Sequence, residues 1–338
     1  MAVNFVPSDD SSMNGAATVG VVVIGRNEGD RLKRCIGSVT STDSLVVYVD
    51  SGSIDGSAEW ASQHTASVVD LDMSKPFTAA RARNAGFERL LKLAPELPLV
   101  QFVDGDCELH PEWLAVGQHF MNERADVAAV CGRLRERYPD RSIYNKLCDA
   151  EWQGVAGDSL SVGGNAMLRT SALSAVGGYR ADLIAGEEPE LCVRLRQAGW
   201  RVWRLSAEMA LHDAAMTRFG QWWTRAVRSG HALAEGVALH GSSPEQHNVR
   251  ELRRALLWGL ALPIVIAVAS LLQPASALLF LVYPLQILRL ALRDGVREGS
   301  VWWQSLFSVL ARFAEVRGAM KFWINRSLHR RAALFEYK

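Results

Sequence analysis

The chain has 338 residues, with 37 Lys and Arg against 36 Asp and Glu, for a formal net charge of +1 at pH 7. Nothing in that balance points to nucleic acid as a partner, because there is no net positive field to attract a polyanion. Cys35, Cys107, Cys131, Cys148 and Cys192 are scattered and include no Cys-x-x-Cys pair, which argues against a disulfide framework or a zinc site and fits a reducing compartment. Residues 1–16 are polar, without a basic start followed by an apolar stretch, and read as a loose tail rather than a signal peptide.

From Val19 the chain alternates two patterns. Val19–Ile24, Leu45–Val49, Ser67–Leu71 and Leu99–Val103 are short apolar runs rich in β-branched residues and are predicted strands. Arg31–Val39, Ser57–His64 and Ala79–Leu93 between them are helix-like. That βαβα order predicts an α/β fold with a mainly parallel sheet, whose ligand lies beyond the carboxyl ends of the strands. Three of those ends carry polar clusters: Arg26-Asn27-Glu28, Asp50-Ser51-Gly52-Ser53 and Asp104-Gly105-Asp106. Their convergence on one sheet edge is the strongest expectation the residues support. Two carboxylates one residue apart repel each other unless a cation lies between them or one is protonated. Oxygen donors of this kind suit Mg²⁺ or Mn²⁺. Asp-Gly-Asp is also ordinary turn chemistry, so the residues alone leave both readings open.

Beyond Cys131 the alternation weakens. Trp152 to Gly164 is loop-like, and Val162–Leu168 reads as a strand entered through Gly163 and Gly164. A helix is predicted over Pro189–Ala198, with Glu187 and Glu188 at its start. Those glutamates either do catalytic work or cap that helix. Between Arg254 and Arg289 lie 34 positions without a charged residue. With Pro274 near the middle of Ala255 to Leu292, they read as two short membrane-embedded helices, Ala255–Leu272 and Ala275–Leu292, joined by a tight turn. A re-entrant pair and a buried hairpin of a soluble domain are the alternatives. Arg253 and Arg254 flank the first helix, and Arg289, Arg293 and Arg297 the end of the second; a hairpin puts both flanks on one side, and basic residues favour the cytoplasmic side. Val301–Arg331 mixes Trp and Phe with Arg and Lys, as does a helix lying in the membrane interface, or one packing a core.

The chain has neither Gly-x-Gly-x-x-Gly nor Gly-x-x-x-x-Gly-Lys-Ser/Thr, which disfavours dinucleotide and P-loop folds. Gly25-Arg26-Asn27-Glu28, Asp50-Ser51-Gly52-Ser53-Ile54-Asp55-Gly56-Ser57, Ala82-Arg83-Asn84-Ala85-Gly86, Asp104-Gly105-Asp106 and Gly186-Glu187-Glu188-Pro189-Glu190 occur in that order. Over roughly Val19 to Ala234 this series resembles glycosyltransferase family 2, inverting enzymes with the GT-A nucleotide-sugar-binding fold. The resemblance implies a catalytic domain at 17–240, set between the tail at 1–16 and a membrane-associated helical region at 250–338 that the composition predicts.

It also implies roles. Glu28 and Asp50 would accept hydrogen bonds from the base and ribose of a nucleotide-sugar donor, and Arg83 would reach its diphosphate or base, whereas the residue alone also suits a solvated helix face. Asp104 would face the ribose, and Asp106 would hold Mn²⁺ or Mg²⁺ between the phosphates. His212 matches a position where related enzymes bring a further metal ligand or phosphate contact, although a lone histidine is also commonly structural. Glu187 and Glu188 occupy the family's Glu-Asp, the second being the base that deprotonates the acceptor hydroxyl. Here that residue is one methylene longer, and Ser51 stands where the family often has a second Asp. Gln221-Trp222-Trp223-Thr224-Arg225 is similar to the Gln-x-x-Arg-Trp of processive polysaccharide synthases, but with Arg after both Trp, which argues against processivity and suggests an interfacial helix. The expected activity is transfer from a nucleotide sugar, of UDP type, to a lipid-linked or envelope saccharide. A sugar-nucleotide-forming nucleotidyltransferase and a non-catalytic membrane scaffold are the alternatives.

Overall fold

The structure, a computed structural model, describes residues 18–40, 44–295 and 299–330. The expected tail at 1–16, Arg297 and the last residue of Val301–Arg331 lie outside them. Strands β1 (Val19–Gly25), β2 (Leu45–Asp50), β3 (Ser67–Asp70) and β4 (Leu99–Asp104) run parallel in the order β3-β2-β1-β4. Val21, Val22 and Val23 of β1 are fully buried, because helices cover both faces of a parallel sheet. Helix α1 (Asp30–Thr40) turns Leu32, Cys35, Ile36 and Val39 inward, an i, i+3, i+4, i+7 stripe. Helices α2 (Ser57–Ser62) and α3 (Ala79–Leu93) follow β2 and β3. Helix α3 sits directly on the sheet because Gly86 has no side chain: a Cβ there would lie 2.3 Å from a Val22 methyl.

The second half of the sheet is where sequence patterning failed. It comprises β5 (Cys107–Leu109), β6 (Val127–Glu136), β7 (Gly157–Asp158), β8 (Ala166–Arg169) and β9 (Arg201–His212), with α4 (Trp113–Glu123), α5 (Ile143–Glu151), α6 (Thr170–Ala175) and α7 (Glu187–Gln197) between them. Among the described residues the order is β3-β2-β1-β4-β8-β6-β9-β5, with β7 paired to β9. Strand β8 inserts antiparallel between β4 and β6. Two corrections follow. The strand expected from Val162 begins only at Ala166, since Val162–Asn165 crosses over the end of β4. The helix expected from Pro189 begins at Glu187, after Gly186 in the left-handed conformation (φ 79°), so both glutamates lie in its first turn.

Helix α8 (Phe219–His240) and the last helix, Gly299–Ser327, lie in backbone contact. A Cβ on Gly230 would be 2.0 Å from the Glu315 carbonyl oxygen, and one on Gly318 would be 1.9 Å from that of Val227. Phe307 and Phe322 are buried in this seam, whereas Trp302, Trp303 and Trp323 on the opposite side are 41%, 47% and 45% exposed. The expectation of an interfacial helix at Gln221–Arg225 is corrected for Trp222, which is buried and meets Phe307 edge-to-face at 4.6 Å. Because backbone atoms occupy the space, Gly318→Val should cost about 3 kcal/mol through overpacking. A lowered unfolding midpoint of the detergent-solubilised chain checks this, and an unchanged one contradicts the packing.

Val249–Leu272 and Pro274–Asp294 are long and apolar enough to cross a membrane. The break falls at Gln273, as Pro274 demands, but the first helix carries a π-helical segment, Leu257–Ala261, and the second opens as a 3₁₀ helix, Pro274–Leu281. The fold leaves both uncovered: Leu271, Leu272 and Leu278 are 85%, 82% and 68% exposed. A hairpin forming the core of a soluble domain is therefore not what this chain builds.

Candidate active site

The ends of β1 and β2 are tied to each other. The Asn27 amide N–H donates to Ser53 Oγ at 2.9 Å, and its side-chain oxygen accepts from the Ile54 N–H at 2.8 Å, with Asn27 at φ 55°. Asp50 is buried, and its Oδ2 accepts from the N–H groups of Gly52 and Ser53 at 2.9 and 2.8 Å. Its Oδ1 accepts the Tyr48 hydroxyl at 2.9 Å, and burial and the Asp50 charge push that phenol above its usual range. Asp50 thus shapes its own loop, with part of its acceptor capacity remaining. Glu28 pairs with Arg31 at 2.7 Å. Its Cγ lies beside Gly105, where a Cβ would come within 3.3 Å, so Glu28 adjoins the Asp104–Asp106 turn.

Arg83, on α3, is buried rather than on a solvated helix face. Its Nη2 donates to Asp104 Oδ1 at 2.9 Å, and its Nη1 lies 2.9 Å from Glu187 Oε1 and 3.0 Å from Glu188 Oε1. One guanidinium therefore joins the end of β4 to the first turn of α7, as a planar fork can. Gly164 is needed there: a Cβ would fall 2.4 Å from Arg83 Nη2 and 2.7 Å from Asp104 Oδ2. The next residue, Asn165, accepts the Asp104 N–H at 3.1 Å. Asn84 pins the approach to α7, accepting the Tyr179 N–H at 2.9 Å and donating to the Tyr179 carbonyl at 2.7 Å. Glu187 is buried, whereas Glu188 keeps partial exposure. Burial, and next the Glu187 charge, push the Glu188 carboxyl up to about 7, with Arg83 opposing them.

Asp106 and His212 meet on the other side of the turn. Strand β5 pairs with β9, placing Cys107 opposite His212, and Asp106 Oδ2 lies 3.1 Å from His212 Nε2. Asp106, Cys107 and His212 offer ligand atoms within 4.8 Å of one another. Burial raises the Cys107 thiol well above its usual range, which makes it a less ready donor than the Asp106 carboxylate and the His212 imidazole. His212 Nδ1 is buried without a partner, and burial lowers the imidazole below its usual range, leaving it neutral as a ligand must be. That donor set accepts Mn²⁺ more readily than Mg²⁺, which prefers oxygen alone. Trp152 stacks on His212 at 4.6 Å, and Glu136 and Asn145 fix the segment behind it by accepting the N–H groups of Ala214 and Met216.

The structure therefore places Arg83, Asp104, Glu187 and Glu188 in one ion cluster and Asp106 with His212 in a second. Glu28 and Asp50 lie at the neighbouring strand ends. Trp152, Cys107, Asn165 and Asp213 were not anticipated. Asp213 is buried with Oδ1 unpartnered, and only its place next to His212 marks it in the sequence.

Residues 20–176 match the family described as glycosyl transferase family 2. The glycosyltransferase AglE of Haloferax volcanii is 25% identical over 225 residues, 63% of this chain and 71% of that protein. Among solved structures, the mannosyltransferase PcManGT of Pyrobaculum calidifontis, in complex with GDP-Man and Mn²⁺, has a TM-score of 0.62 at 20% identity, covering 91% of this chain and 88% of that one. At that identity the likeness concerns the fold.

Proposed function

Because the chain belongs to glycosyltransferase family 2 and has its GT-A fold, we propose that it is a metal-dependent inverting enzyme. It moves a sugar from a nucleotide-sugar donor to a hydroxyl of a lipid-linked or envelope saccharide at a membrane surface. The observation that supports this best is the gathering of Glu28, Asp50, Asp104 and Asp106 at or just beyond neighbouring strand ends, with Arg83 tying Asp104 to the first turn of α7. In this reading Glu28 and Asp50 accept hydrogen bonds from the base and ribose, and Asp104 turns its free oxygen to the ribose. Asp106 and His212 hold a divalent cation, Mn²⁺ in preference to Mg²⁺, whose chemistry is to neutralise charge on the departing diphosphate. Arg83 positions Asp104, Glu187 and Glu188, since its Nη groups already face those carboxylates.

Glu188 takes the proton from the acceptor hydroxyl. A carboxyl raised to about 7 is a stronger base than an ordinary glutamate and is still ionised in about half of the molecules at neutral pH. With Glu188 as the base of a single displacement, the anomeric centre inverts. The uncovered hairpin supports membrane association, and its basic flanks favour the cytoplasmic face for the catalytic domain. The test is incubation of the full chain with UDP-, GDP- and dTDP-sugars and saccharide acceptors, reading the product's anomeric proton by NMR. A retained configuration removes Glu188 from the role of base in a single displacement.

A further inference from the structure

We propose that a cavity at the base of the apolar hairpin binds the phosphate of an anionic membrane lipid, an inference that rests on the membrane reading of Val249–Leu272 and Pro274–Asp294. The cavity, about 450 Å³, lies where both helices meet the last one, and Arg254, Arg289, Arg293 and Arg312 line it together with Trp258 and Gln304. Arg254 and Arg289 are the two residues that bound the charge-free run of the sequence. A hairpin brings such ends to one side of a bilayer, so the arginines lie at the depth where hydrocarbon gives way to headgroups. Trp302 and Trp303, next to Gln304, are exposed, as aromatic residues are at that depth.

The charge in the cavity is incompletely answered by the protein. Arg293 pairs with its neighbour Asp294 at 2.7 Å, and Arg312 with Glu315 at 2.7 Å. Arg254 and Arg289 make no ion pair within 4.0 Å among the described residues, although the Glu315 carboxylate that pairs with Arg312 also feels the Arg254 charge. Guanidinium groups drawn from three helices and facing one space suit the several oxygens of a phosphate, which accept paired N–H donors. The source of that phosphate is a bilayer lipid, because the cavity opens at the foot of an apolar surface that an aqueous phosphate does not need. A second cavity, about 370 Å³, shares Gln304, Ser308 and Arg312 with the first and reaches Glu151 and Arg225. Glu151 adjoins Trp152, the residue stacked on His212. A lipid seated between the arginines thus fixes the membrane surface beside the active site.

The experiment is flotation of the full chain, purified in detergent, with vesicles of phosphatidylcholine alone or mixed with phosphatidylglycerol. The wild type should bind the mixed vesicles more tightly, and R254Q/R289Q should lose about tenfold of that affinity while keeping its unfolding midpoint. R250Q/R253Q, which removes two exposed arginines of the same helix outside the cavity, should lose clearly less. Equal losses from the two double variants would overturn the site in favour of general attraction. Inorganic phosphate that abolishes the preference at buffer concentrations would overturn the lipid assignment. Equal binding to both vesicle types overturns the headgroup site and leaves the membrane reading standing, whereas a chain that binds no vesicle overturns both.

Discussion

Glu188→Gln should bind the donor within about twofold of wild type yet lose on the order of 10²–10⁴ in transfer rate, the usual contribution of a positioned base. Glutamine keeps the shape and still accepts from Arg83 but cannot take a proton. The pH dependence is specific. With its carboxyl at about 7, Glu188 is protonated in much of the population at pH 6, so kcat/KM should rise through about 7 and level off above it. The variant's residual rate should lack that limb. Stability gives a second readout. Between the ordinary value of 4.5 and about 7 the folded chain keeps a proton that the unfolded chain has lost, so stability falls as pH rises through this window. Glu188→Gln should therefore be more stable than wild type at pH 8, an advantage absent near pH 4. Normal transfer by the variant would place the base elsewhere.

Asp106→Ala should abolish the stimulation of donor turnover by Mn²⁺, a loss on the order of 10²-fold or more, because a bound divalent cation contributes several kcal/mol to such a reaction. Its carboxylate is nearly enclosed, with a side chain only 2% exposed. His212→Asn should act differently. Replacing the imidazole leaves an oxygen donor, so the preference for Mn²⁺ over Mg²⁺ should narrow while some turnover remains. Titration of Mn²⁺ against each variant in the presence of nucleoside diphosphate, followed by electron paramagnetic resonance, separates the two. Mn²⁺ affinity unchanged by Asp106→Ala would contradict the assignment.

The half of the fold that could be read from the residues is the half with repeated, strongly patterned units. Val19–Gly25 is a continuous apolar run followed by Arg26, and Leu99–Asp104 is one interrupted only by Gln101, close to the pattern of buried parallel strands. Strand β9 escaped notice because its register against β6 shifts at irregularities and several of its residues are partly exposed, so neither period 2 nor a continuous run appears. Strand β8 begins later than expected for a local reason: Gly164 serves the crossing over Arg83 and Asp104 rather than strand entry. Single residues defeat patterning further. The stacking of Trp152 on His212 joins a loop to the end of β9, and no spacing along the chain encodes such a contact. Arg83 was picked out, but its burial among three carboxylates depends on how far α3 sinks onto the sheet at Gly86. The contact of α8 with the last helix is written in Gly230 and Gly318, which are 88 positions apart and meaningless until paired.

These contacts also connect the parts. Phe307 of the last helix packs on Tyr144 of α5 and Trp222 of α8, and the adjacent Asn145 holds the backbone that follows His212. The helix that carries the hairpin therefore also buttresses the segment that follows His212.

Metal-dependent glycosyl transfer from a nucleotide sugar is the central claim, and release of nucleoside diphosphate measures it most directly. Across UDP-, GDP- and dTDP-sugars, the full chain should release the diphosphate from at least one donor with Mn²⁺ present. Chelation should abolish that release, and Asp106→Ala should match the chelated wild type. Release at an equal rate in chelator, or by Asp106→Ala, would contradict the account.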